Sequence, residues 1–223
     1  MDQIVSKSFK GGYGRVTLSK VLLFSGVLSS MYYVAINVLV PLQFEGYDYA
    51  SQTVSEISAI GAPTRLLWVV AAVWYIILMG SFGWGVWISS EGNRRLRVLG
   101  GLIIVYCVIN IYWPPMHLRG SEKSLTDVLH IVWAGVTVLL MMTIMGFGAM
   151  ALGNIFRAYT ILSVLFLLLF GFLTGRDAPN LEQNLPTPWM GVYERLAIGV
   201  FMTWIMVLSI VLMRRANRLR QKI

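Results

Sequence analysis

Residues 125–152 read LTDVLHIVWAGVTVLLMMTIMGFGAMAL. The run exceeds the about 20 apolar residues that cross a ~30 Å hydrocarbon core as a helix. Asp127 and His130 sit near its start, and no charge follows until Arg157. Such a segment is a transmembrane helix, and it decides the class of the whole chain. The same reading carried outward finds five more spans, near 19–42, 66–90, 96–113, 158–174 and 188–213. Connections are short except at 43–65 and 175–187. The expectation is an all-α, polytopic membrane protein. Six transmembrane helices form one bundle over 19–213, between a cytoplasmic tail at 1–18 and a basic cytoplasmic tail at 214–223.

Composition agrees. Of 223 residues, 57% are hydrophobic and 13% charged, against about 45–50% and about 25% in soluble domains. This excludes a disordered chain, a nucleic-acid-binding arm and an ordinary soluble enzyme. Cys107 is the single cysteine, so no disulfide framework forms within the chain. Two His and one Cys also exclude thiolate-built zinc fingers and iron–sulfur sites. The methionines of the fourth span, such as Met141 and Met145, read as adaptable packing and not as copper ligands.

The net charge of +8 reports orientation. With six spans both termini share a side. Thirteen of the 18 Lys and Arg residues fall there: Lys7, Lys10, Arg15, Lys20, Arg94, Arg95, Arg97, Arg157, Arg214, Arg215, Arg218, Arg220 and Lys222. Arg65, Arg119, Lys123, Arg176 and Arg195 fall opposite. The positive-inside rule puts both termini in the cytoplasm, in a cell-membrane protein. The run 21–40 is too long for a signal-peptide core and lacks a cleavage site after it, so it reads as an anchor. The tail 214–222 reads as a stop-transfer flank touching anionic lipid, with no nucleic-acid role.

Polar residues gather at one level, just inside the external face. Asn37, Asn110, Asp127, His130, Glu194 and Arg195 come from four spans. Ionisable groups at that depth face the bundle interior, paired or functional. Asp127 and His130 are three apart and share a helix face with Ala134 and Thr137. A carboxylate orienting an imidazole is half of a catalytic constellation. The structural alternative is equally concrete. Ser124-x-x-Asp127 is a capping pattern, and His130 then satisfies a neighbouring helix.

The first external loop adds Thr53-x-x-Glu56, a capping box, and Gly61 with Pro63, a stop. A short helix is expected over 54–60, with Ile57 and Ile60 turned to the bundle, as a lid over the external mouth. Glu56 is then either cap or site. Ser55 acts as a nucleophile only with His130 or His117 beside it. Glu194 and Arg195 point about 100° apart on one helix. Each is expected to bond elsewhere: Arg195 to Asp127, Glu56 or Asp48, and Glu194 to His130 or Arg119. A structural ion network is the alternative. His117, His130 and Asp127 make a minority three-ligand metal reading. No H-x-x-x-H or H-E-x-x-H spacing supports it, and the pattern names no cofactor.

The lid S-x-T-V-S-E-I-S-A-I-G-A-P, the stretch W-P-P-M-H-L-R-G…L-T-D-V-L-H-I-V-W and N-L-P-T-P-W-M-G-V-Y-E-R-L resemble the domain-of-unknown-function 998 family of prokaryotic integral membrane proteins. The resemblance runs from the first span to the last. It implies six spans and marks Ser55-Glu56 with Gly61-Ala62-Pro63, Asp127 with His130, and Glu194-Arg195. It transfers no activity. Ceramidase-like membrane hydrolases also use Ser, Asp and His near one face, but this chain lacks their His-rich final helix.

Three function classes follow. The first is a hydrolase-like enzyme or binder acting on a lipid or lipid-linked substrate, with membrane lipids as its partners. The second is a structural or accessory membrane protein whose polar layer only fixes packing. The third is a small-solute transporter. It fits less well, because the cytoplasmic halves of spans 2, 4 and 5 are almost purely apolar and no interrupted helix pair is present.

Overall fold

The computed structural model describes residues 2–122 and 124–220, with side chains at 18–122, 124–181 and 183–218. Lys123 and Lys222, and the side chains of Lys7, Lys10, Arg15 and Arg220, which enter the charge balance, lie outside the described residues.

The described chain is helical: α1 Asp2–Leu39, α2 Val54–Ile57, α3 Arg65–Ile88, α4 Arg94–Ile109, α5 Leu125–Ala151, α6 Asn154–Glu182 and α7 Met190–Arg220. A 3-10 turn, Pro41–Gln43, ends α1. Among the described residues, five segments are long and apolar enough to cross a membrane. They are Leu18–Gln43, Arg65–Ile88, Leu125–Ala151, Asn154–Leu181 and Met190–Arg218. The third expected span, α4, has 16 residues. It is about 24 Å long, shorter than the sequence expectation of 96–113. Asn110 caps it, its amide donating to the Tyr106 carbonyl at 2.8 Å. Pro114 and Pro115 follow, and neither can continue a helix.

α6 departs the other way. The sequence expectation ended at 174, yet the helix runs to Glu182 with Pro179 inside it. The extra turns are held by tertiary packing: Leu181 is buried with Ala59, Ala62, Met116 and Met190. α7 begins at Met190, beyond the expected Thr187-Pro188 start. The Thr187 hydroxyl is instead bonded to the Ser51 carbonyl and Arg119.

The six long helices follow one another round the bundle, each packing on the next, and α7 returns to α1. Where helices touch, small residues let them approach. A Cβ on Gly100 would lie 2.6 Å from the Trp87 backbone nitrogen, so α3 and α4 meet backbone to backbone. Trp204, Phe201, Phe82 and Met145 fill the shared core. Trp204 is anchored there by a 2.9 Å bond from its indole to Thr160 Oγ1. The loops 44–64, 110–122 and 183–189 gather at one end of this ring and are cross-bonded there.

Candidate functional site

α2 is one turn, shorter than the expected 54–60, and its sequence explains its position. The Thr53 hydroxyl accepts from the Glu56 N–H, and the Glu56 carboxylate accepts from the Thr53 N–H, so the expected capping box is present. Ser58 ends the turn, and the chain then pairs with the loop before α5. The Ile60 N–H donates to the Met116 carbonyl at 2.7 Å and the Leu118 N–H to the Ile60 carbonyl at 3.2 Å. Ile57 is fully buried as expected, whereas Ile60 faces outward.

Two arginines fasten this loop. Arg119 grips the fully buried Glu56, Nε to Oε1 at 2.5 Å and a terminal nitrogen to Oε2 at 2.9 Å. Its other nitrogen reaches Thr187 Oγ1 at 2.7 Å. Arg195 donates to the carbonyls of Tyr49, Gln52 and Gly191 and to the Tyr47 hydroxyl. It also lies over the Tyr47 and Tyr49 rings. Arg195 therefore serves backbone carbonyls and a phenol, not the carboxylates expected from sequence. Burial pushes the Tyr47 phenol up, against the pull of Arg195. Hydrogen bonds from the Ser51 hydroxyl and the Ala50 N–H hold the Asp48 carboxyl below its usual range.

With the loop fixed, Ser55 points at two groups. Its Oγ lies 3.1 Å from His130 Nε2 and 3.0 Å from Glu194 Oε1. His130 Nδ1 lies 2.7 Å from the Pro114 carbonyl. A carbonyl only accepts, so Nδ1 carries the proton, and in the neutral ring Nε2 presents a lone pair to Ser55. Glu194 Oε2 accepts from the Val54 N–H. The three side chains therefore form a relay, Glu194–Ser55–His130. One hydroxyl proton cannot serve both an ionised carboxylate and a bare imidazole nitrogen. The set is satisfied when it carries one further proton, on Glu194 or on His130.

Asp127 does not join the relay, although the sequence places it on the face of His130. It turns back to its own cap. It accepts from the His117 N–H at 2.7 Å, from the Ser124 N–H at 2.8 Å, and pairs with His117 Nδ1 at 2.9 Å. The minority metal reading gains no support, since His130 Nε2 faces Ser55. Among the described residues no group of three or more His, Cys, Asp or Glu is placed to hold a metal ion.

Ser55, His130 and Glu194 line a cavity of about 1220 Å³ that also reaches Tyr75 and Tyr106, Met141 of α5, Leu167 of α6 and Met202 of α7. Glu56, Arg119 and Arg195 stand behind the wall. Of the residues singled out from sequence, Ser55, His130 and Glu194 come together here, whereas Asp127 keeps to its cap and Arg195 bonds carbonyls and a phenol. The sequence reading did not single out Arg119 or the Pro114 carbonyl as site groups. The signal for Pro114 was present: a Pro-Pro pair fixes the chain and frees a carbonyl from helical bonding.

The family model for "Protein of unknown function (DUF998)" matches residues 27–211. No curated protein matches, and no solved structure does.

Proposed function

The chain belongs to the DUF998 family of proteins of unknown function, and we propose that it is a membrane-embedded serine hydrolase acting on a lipid or lipid-linked acyl substrate. One observation carries this reading: a serine hydroxyl 3.1 Å from an imidazole nitrogen whose ring is oriented from its far side, inside a large apolar cavity. That is the geometry of a nucleophile and its base. In the reaction, Ser55 Oγ bonds to the acyl carbon as its proton passes to His130 Nε2. The acyl–oxygen bond of the ester breaks, and the leaving alkoxide takes that proton from His130. Water then adds by the same route, giving the free acid and restoring Ser55.

In this reading α4 is a short sixth span, both termini are cytoplasmic, and α2 with its flanks is the lid over the external end. Glu56, Arg119, Arg195 and Asp127 position the loops, and Ser55, His130 and Glu194 meet the reacting group of the substrate. The test is labelling of the purified protein with a short-chain fluorophosphonate, read by intact mass. One adduct is expected, on Ser55, absent in Ser55→Ala and at least tenfold slower in His130→Gln. No adduct, or an adduct unaffected by Ser55→Ala, overturns the proposal.

A packing role is the second reading, and it draws on a specific observation. Glu56, Arg119 and Arg195 behind the wall, and Asp127 at its edge, are consumed by the loops, as a purely structural layer requires. It expects Ser55→Ala to lower thermal stability with no chemistry to lose. A transporter gains less support, because the inner end of the cavity is apolar, at Met141, Leu167 and Met202.

A further inference from the structure

We infer that the gap between α5 and α6 is a side entrance through which the acyl chain of a membrane lipid reaches Ser55, which makes the substrate a long-chain acyl lipid taken from the bilayer. The inference rests on the hydrolase reading for its chemistry and on separate observations for its route.

The external face is closely tied, although Ser124 and Gln183, both exposed, also line the cavity there. Its loops are bolted by Arg119 and Arg195, and the Ser55 turn is tied to α7 through Glu194. The cavity wall does include side chains that stand on the outer surface of the bundle. Ile131 and Leu139 of α5, and Leu168 and Phe172 of α6, are all exposed and all line the cavity. The cavity therefore meets the surface between these two helices, on the surface that faces lipid. Small residues hold the gap open. A Cβ built on Gly135, Gly171 or Gly175 meets no atom within 4 Å, and all three line the cavity.

Length and chemistry fit a lipid tail. From His130 to Met141 the slot runs along α5 for about 16 Å, half of a ~30 Å hydrocarbon core. One leaflet's chain has that depth. The volume of about 1220 Å³ exceeds the ~300–1,000 Å³ of common small-molecule pockets. The wall along this path is aliphatic and aromatic, and polar groups concentrate at the Ser55 end. Thr137 lines the cavity as well, and its buried Oγ1 has no partner.

The experiment uses the full chain in vesicles of phosphatidylglycerol and phosphatidylethanolamine, with Gly171→Trp and Gly135→Leu as two separate ways to fill the slot. A Cβ at either position meets no atom within 4 Å, so both variants should stay folded, which the melting temperature checks. The ratio of hexadecyl to ethyl fluorophosphonate labelling should fall at least tenfold in each variant. Equal loss of both probes, or of neither, overturns the entrance. A second arm does not depend on catalysis. A phospholipid with a diazirine in its acyl chain should crosslink to Thr137 or Met141 in wild type and in Ser55→Ala, and not in Gly171→Trp. Crosslinking with no Ser55 adduct would keep the lipid slot and remove the hydrolase. An adduct with no crosslink inside the slot would keep the hydrolase and remove the slot.

Discussion

Arg119 holds Glu56 by two parallel bonds, Nε to Oε1 and a terminal nitrogen to Oε2, and neither residue lines the cavity. Glu56 is fully buried, so its charge depends on this partner and on the Thr53 cap. Removing one member of a buried pair costs roughly 3–5 kcal/mol, because the other charge is stranded. Arg119→Met should therefore destabilise strongly. Arg119→Lys should recover little, since one ammonium cannot reach the carboxylate, Thr187 and Ser51 together. Unfolding in detergent measures both. The double variant Arg119→Met with Glu56→Gln should lose less than the two singles added. Simple additivity would deny the coupling.

Glu194 offers a test of the relay's proton count. Gln places a carbonyl where Oε2 accepts from the Val54 N–H, and an amide donor where Oε1 meets Ser55. It mimics the protonated carboxyl. Glu194→Gln should keep the fold and retain Ser55 labelling within about threefold, or ~0.7 kcal/mol. Glu194→Ala strands the Val54 N–H and should lose about 1–3 kcal/mol of stability. Labelling abolished by Gln would mean that Glu194 must be ionised, with Ser55 donating to it and not to His130.

Gly191 is the tightest contact between α7 and the 44–64 loop. A Cβ there would sit 2.2 Å from the Gln52 carbonyl oxygen and 2.6 Å from that of Tyr49. Both are backbone atoms that Arg195 also holds, so neither can move cheaply. Gly191→Ala should cost more than the usual ~1–3 kcal/mol of overpacking. It should also expose the 49–55 segment to proteolysis. A variant that melts like wild type would show that the loop rides freely on α7.

The sequence was most legible where local rules act alone. The capping boxes at Thr53 and Ser124 formed as their spacing requires. Spans from Leu18, Arg65 and Leu125 followed from apolar length. It was least legible where tertiary contacts override local rules. The fifth span was expected to end at 174, yet Leu181 buries against Ala59 and Ala62 and α6 runs on past Pro179. The Asp127–His130 pairing failed for a local reason that the same sequence contained. A carboxylate at the third helical position folds back to its cap, which takes it away from a residue one turn further on. The bond from Ser55 to His130 spans 75 residues and has no sequence signature beyond the residue types.

Asp127 should act on Ser55 from a distance, through the loop it anchors. Its two oxygens accept from the backbone N–H of His117 and of Ser124, and it pairs with the His117 ring. That loop carries Pro114, whose carbonyl holds His130 Nδ1 at 2.7 Å. In Asp127→Asn one oxygen becomes an NH₂ group facing a backbone donor. The His117 ring can change tautomer and accept from the new amide, but a backbone N–H cannot, so one donor is stranded at about 1–3 kcal/mol. His117→Ala leaves both backbone bonds in place and should be the milder change. The expected order of melting temperature is wild type, His117→Ala, then Asp127→Asn. A purely structural Asp127 would leave the chemistry of surviving folded protein intact. A positioning Asp127 should slow Ser55 labelling roughly tenfold, about 1.4 kcal/mol, below the melting range. It should also shift the His130 Nδ1 resonance in a ¹⁵N-histidine spectrum as the Pro114 bond loosens. An unchanged labelling rate with an unchanged resonance would confine Asp127 to its helix cap.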